Sequence, residues 1–153
     1  MSRFFVHQEP VWRSQANYVI QIVIPGEPET PEFEQLWTSS QQDGSHIVCC
    51  IPFFLYGISL GDRIQKLSDG GFRILDPSGR ITIRVWMADS SAREKADFIH
   101  KLAALECLME RSSENLLAVD CRNSDDAIRV RAILDQAARE NKISYEMANP
   151  VEE

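Results

Sequence analysis

The run Ile51-Pro52-Phe53-Phe54-Leu55-Tyr56-Gly57-Ile58-Ser59-Leu60-Gly61-Asp62 constrains the fold more than any other part of the chain. It crowds large apolar side chains around a proline, turns on two glycines and delivers an acid. Side chains of this size must be buried on several sides, so the run locates the core and excludes disorder. Gly57 and Gly61 are expected to supply unusual backbone angles where a strand leaves its sheet. Asp62, directly after Gly61, reads as a turn or cap group accepting backbone N–H bonds. The expectation is an inert scaffold that holds two sheets together and leaves activity to the outer surface. Phe54 and Tyr56 have a second reading, as residues that line a pocket or face a partner.

Around this run the period is that of strands. Residues 17–24 are rich in β-branched side chains and stop at Pro25-Gly26. Residues 33–39 alternate, with Phe33, Gln35 and Trp37 on one side and Glu34, Leu36 and Thr38 on the other. Asp43-Gly44 then turns the chain into a strand at 46–51, which makes a hairpin. Further strands follow at 61–67, 72–75 and 80–87. In the last of these Ile81, Ile83, Val85 and Met87 oppose Arg80, Thr82, Arg84 and Trp86. Short strands joined by glycine-bearing turns predict a small curved antiparallel sheet or partial barrel over residues 1–79.

The second half changes period. Ser90-Ser91 cap a predicted helix over 92–105, with Glu94 and Asp97 near its positive end. Residues 106–111 either extend that helix or form a strand that pairs with 116–121; the turn Ser112-Ser113-Glu114-Asn115 favours the strand. Ser124 caps a second helix, with Asp125 and Asp126 in its first turn and Asn141-Lys142 at its end, before a last strand at 143–147. The order strand, helix, strand, strand, helix, strand predicts a ferredoxin-like βαββαβ unit over residues 80–153. The whole is an α+β chain whose two subdomains share one core.

Chemistry is sparse. The three histidines, His7, His46 and His100, lie far in sequence from one another and from cysteine, so no metal site is expected. There is no G-x-S-x-G elbow, and Gly70-Gly71 and Pro77-Ser78-Gly79 open no helix and carry no phosphate-loop lysine. No catalytic set and no cofactor are expected. Asp120 reads as a partner of Arg122 or as a helix cap. Cys49, Cys50, Cys107 and Cys121 sit in apolar strand-like segments and form no C-x-x-C pair, so they read as buried free thiols in a reducing, cytoplasmic setting. The net charge of −7 disfavours nucleic acid and anionic membrane. Trp86 is the one aromatic on the strands that would stack RNA bases in a sheet of this shape. Glu27, Glu29, Glu32 and Glu34, with Asp125 and Asp126, read as a solvated acidic face.

The segments 12–20, Phe33-Glu34-Gln35-Leu36-Trp37, Cys50-Ile51-Pro52-Phe53-Phe54, Ser59-Leu60-Gly61-Asp62 and Asn115-Leu116-Leu117-Ala118-Val119-Asp120 occur in that order. So arranged, the chain resembles a bacterial family catalogued as a domain of unknown function (4265 type), over residues 12–147. The resemblance implies no assigned activity and no catalytic residues. It does imply a kinship with proteins suspected of immunity or antitoxin roles.

The function expected from the sequence is therefore a non-enzymatic protein-interaction module, of the kind that binds and blocks a toxin or basic protein. Phe54, Tyr56, Trp86, Asp125 and Asp126 are its candidate partner-binding residues. The alternative is a small-molecule-binding regulatory module, with which a homodimer is compatible. An enzyme with a site gathered from distant residues is the third reading.

Overall fold

The computed structural model describes residues 2–26, 29–140 and 142–149. Glu27 and Asn141, read above as a loop acid and a helix end, lie outside the described residues. The first sheet contains β1 (Arg3–Phe5), β2 (Tyr18–Val23), β3 (Glu32–Ser40), β4 (His46–Val48), β5 (Arg63–Lys66) and β6 (Phe72–Asp76). The long strand β3 organises it. One edge pairs antiparallel with β2, from Thr38 opposite Tyr18 to Phe33 opposite Val23. The other edge is divided between β1, parallel at Glu32–Glu34, and β4, antiparallel at Thr38–Ser40.

The parallel strand corrects the expectation of a purely antiparallel sheet. Three residues of β1 are too few to show a period, so only the edge left open by β3 recruits them. The sheet curves enough for the Val23 N–H to reach the Gly70 carbonyl, at 2.8 Å, in the turn joining β5 and β6. Among the described residues it closes no barrel.

The second sheet contains β7 (Ile81–Trp86), β8 (Leu108–Arg111), β9 (Leu116–Cys121) and β10 (Ser144–Met147), in the order β10-β7-β9-β8 with every neighbour antiparallel. Helices α1 (Ala92–Ala103) and α2 (Ser124–Arg139) supply Phe98, Leu102, Ala127, Val130 and Leu134 to its core. There they meet Ile83, Val85, Leu117 and Val119. Ser91 and Glu94 form the reciprocal capping box that starts α1. The cap of α2 is Asn123 rather than Ser124, because the Asn123 side chain is the one that accepts the Asp126 N–H. Residues 106–111 resolve as the strand alternative: Glu106 adopts φ 62°, which ends the helix, and β8 begins two residues later.

Alternation along β7 leaves Thr82, Arg84 and Trp86 on the face away from the helices. Ile51 and Phe53 lie on that face against Ala118. Cys50, Leu55 and Ile58 close the core of the first sheet, with Ile20, Ile22, Leu36, Val48 and Ile64. The signature run is thus shared between two cores. Gly57 (φ 74°) and Gly61 (φ 84°) have the left-handed angles expected of them, and Asp62 accepts the Ser59 and Ser78 amides.

Candidate functional site

The register of the second sheet sets Glu110 of β8, Ala118 of β9, Arg84 of β7 and Glu146 of β10 in one row across it. The small Ala118 in the middle leaves room for the 51–54 segment to cross the row. One end of the row is sealed by that crossing and the other opens into a cleft.

At the sealed end His7 lies between two carboxylates. Its Nε2 is 2.7 Å from Glu34 and its Nδ1 is 2.7 Å from Glu110, and the ring stacks on Phe53 at 4.1 Å. Glu34 comes from the first sheet and Glu110 from the second. The crossing segment completes both: Phe53 and Phe54 donate their amides to Glu34, at 2.7 and 2.9 Å, and Ile51 donates to Glu110 at 2.6 Å. A ring with an acceptor carboxylate at each nitrogen is an imidazolium. Burial alone would lower the His7 pKa. The Cys50 sulfur and the Glu110 and Glu34 carboxylates outweigh that and raise it well above the ordinary value. Burial pushes the neighbouring Cys50 thiol up. A Cys–His–Glu grouping so enclosed positions the backbone of the 51–54 segment; it holds no exposed nucleophile.

Glu34 corrects the acidic-face reading, since it is fully buried while Glu29 is exposed. The cause is the alternation of β3, which turns Glu34 inward with Leu36 and Thr38. The pairing of His7 with Glu110 is not legible in the sequence because the two are 103 residues apart. The one available signal was Glu34 on the same strand face as Leu36.

At the open end is a cleft of about 370 Å³, lined by Phe53, Phe54, Trp86, Leu116 and Tyr145, with Arg84, Ser144 and Glu146 as its polar groups. Arg84 is 3% exposed. Its Nη1 donates to the Leu55 carbonyl at 2.9 Å, whereas Nε and Nη2 have no hydrogen-bond partner among the described residues. The Tyr56 ring lies over the guanidinium at 4.5 Å, and the Tyr56 hydroxyl donates to Glu146 at 2.8 Å. Glu146 itself approaches Arg84 Nε only to 3.4 Å. A second depression, between α1 and α2, is walled by Glu94, Lys142 and Glu140, which pair with one another at the surface.

The structure brings Phe54, Tyr56 and Trp86 together around this cleft, so titratable groups do face the aromatic run. Asp125 and Asp126 lie elsewhere, in the first turn of α2. Asp125 is exposed, but Asp126 is buried and accepts from the Arg122 backbone and side chain. Asp120 pairs with Arg80 rather than with Arg122, because β7 is its cross-strand neighbour. All four cysteines are buried and free. No described helix is long and apolar enough to cross a membrane.

Residues 34–145 match the family model described as a domain of unknown function, DUF4265. The match includes Glu34, Arg84 and Glu110 and stops short of His7 and Glu146. The comparison with curated proteins returned no match. A crystal structure of a hypothetical protein from Neisseria gonorrhoeae is similar, with a TM-score of 0.70 and 20% identity, over 86% of this chain and 93% of that one. That likeness concerns the fold alone.

Proposed function

We propose that this chain, which belongs to the family described as a domain of unknown function (DUF4265), is a non-enzymatic binding module that takes a small ligand in the aromatic cleft. One observation carries the reading: a buried Arg84 with two donor nitrogens that find no partner among the described residues, at a concave, mostly apolar site. Buried guanidinium donors are ordinarily satisfied, and an unpaired pair at a cleft is the mark of a place held for a ligand. The size of about 370 Å³ falls within the range of small-molecule pockets. His7 and Cys50, the groups best suited to proton transfer or attack, are enclosed behind Phe53, which supports binding over catalysis.

The strand order β10-β7-β9-β8 with two helices supports a ferredoxin-like reading of residues 80–153, joined to a mainly β unit over 1–79. Four buried free thiols support a cytoplasmic setting. A second reading, docking of a protein such as a toxin, is favoured by the exposure of Tyr56 (55%) and Trp86 (48%).

The test is titration of the ¹⁵N-labelled protein with a metabolite library. A small-molecule ligand should shift the Trp86 indole N–H and the amides of Phe53, Phe54 and Ser144 together. Shifts confined to other surfaces would overturn the assignment of the cleft.

A further inference from the structure

We propose that the cleft recognises a carboxylate on a flat or aliphatic apolar body, which Arg84 grips side-on after displacing a gate made by Tyr56 and Glu146. This inference rests on the small-ligand reading above and names the ligand's chemical class.

A guanidinium presents its N–H donors in a fixed plane, and the edge formed by Nε and Nη2 carries two parallel N–H bonds. That edge matches the paired oxygens of a carboxylate or a phosphate, two bonds at a time. In Arg84 it is Nη1 that is committed, to the Leu55 carbonyl, and the Nε–Nη2 edge that has no hydrogen-bond partner among the described residues. Glu146 is close enough to neutralise the cation but not to satisfy it: its Oε1 is 3.4 Å from Nε. Both Glu146 oxygens accept instead from the Tyr56 hydroxyl, at 2.8 Å each. The fork is therefore covered without being filled.

The cover is built to move. The Glu146 side chain is 50% exposed and sits on a four-residue edge strand. Tyr56 is also half exposed; the Gly57 N–H that follows it is held by the Ala148 carbonyl at 2.9 Å, so the motion is one of the Tyr56 side chain rather than of its backbone. Swinging the Tyr56 ring off the guanidinium would uncover Nε and Nη2 without breaking the Nη1 bond to Leu55.

Charge selects a carboxylate over a phosphate. Arg84 is the one cation among the described residues that line the cleft, and Glu146 stands beside it. A dianionic phosphate would meet a net deficit of positive charge there, where a monoanion would only replace Glu146. Phe54, Trp86, Leu116 and Tyr145 provide the apolar walls for the ligand's body.

The experiment pairs aryl- and alkyl-carboxylic acids with their primary amides and titrates each into ¹⁵N-labelled protein. Acids should shift the Arg84 Nε–H and Trp86 indole signals and bind about tenfold or more tightly than their amides. Glu146→Gln, which removes the competing charge at an exposed site, should tighten acid binding several-fold and so widen the ratio of acid to amide affinity. Arg84→Lys, checked for folding by circular dichroism, should weaken acid binding by about tenfold or more, since an ammonium offers no fork. Should Arg84→Lys fail to fold, the acid–amide comparison and Glu146→Gln decide alone. Amides that bind in the cleft as well as acids would overturn the carboxylate assignment and leave the small-ligand reading standing. If no compound of the panel shifts the cleft, the carboxylate assignment falls, and the metabolite titration decides the small-ligand reading by itself.

Discussion

His7 is the residue on which the two halves of the molecule meet, and its value comes from charge balance rather than from packing. Glu34 and Glu110 are buried with it, and each also accepts backbone amides from the 51–54 segment. Replacing His7 by Gln removes the cation between them and leaves two buried carboxylates facing each other, so the expected loss is about 3–5 kcal/mol, read from urea unfolding. Replacing all three groups by apolar residues of matched volume should cost less than the sum of the single changes, because no uncompensated charge remains. The pH dependence has a definite sign. The folded pKa of His7 is raised above its ordinary 6.5, so its contribution is fully present below that value and is lost as pH rises through the folded pKa. Urea midpoints of the native chain and of His7→Gln should therefore converge on the alkaline side and stay apart near pH 6. A constant difference across that range would mean that His7 does not carry the charge. None of this was legible locally, since the nearest acid to His7 in the chain is Glu9 and the groups that hold it come from β3 and β8.

At the scale of elements, the turn glycines and the α1 cap were the most readable features, whereas the α2 cap was read one residue late, at Ser124 instead of Asn123. Asn123 accepts the Asp126 N–H at 2.9 Å, so Asn123→Ala should cost about 1 kcal/mol, whereas Ser124→Ala should be nearly silent in the same thermal melts. Gly61 combines φ 84° with close neighbours, the Ser78 Cβ at 3.1 Å and the Trp12 ring at 3.3 Å from where a Cβ would stand. Gly61→Ala should lower stability by about 1–3 kcal/mol by chemical denaturation, through backbone strain and displacement of the Trp12 ring. The alternation along β3 and β7 was legible, but which face of β3 is buried was not, since Glu34, read as solvated, turns inward. β1 was not legible, because its pairing is parallel and depends on an edge that only the folded sheet offers. The switch from helix to strand at 106–111 had a local cue in the 112–115 turn, and the left-handed Glu106 shows where the helix stops.

For the whole molecule, the crossing segment ties one sheet to the other through buried charge and through apolar contact on both sides. The two sheets should consequently unfold together. Variants that retain only Trp37, on the first sheet, or only Trp86, on the second, should give the same fluorescence midpoint in urea; separated midpoints would mean two independent units. Read by itself, the sequence determined what depends on neighbours along the chain: the class of each strongly periodic segment, the turn glycines, the helix starts and the location of the core run. Alternation and capping act over a few residues, so they are written locally. Only the tertiary structure decided which acids are buried, what holds His7, and which edge of Arg84 is left open. Those outcomes follow from sheet register and from the way the 51–54 segment crosses the row Glu110–Ala118–Arg84–Glu146. Such distances are set by packing between segments far apart in the chain, and no short-range period encodes them.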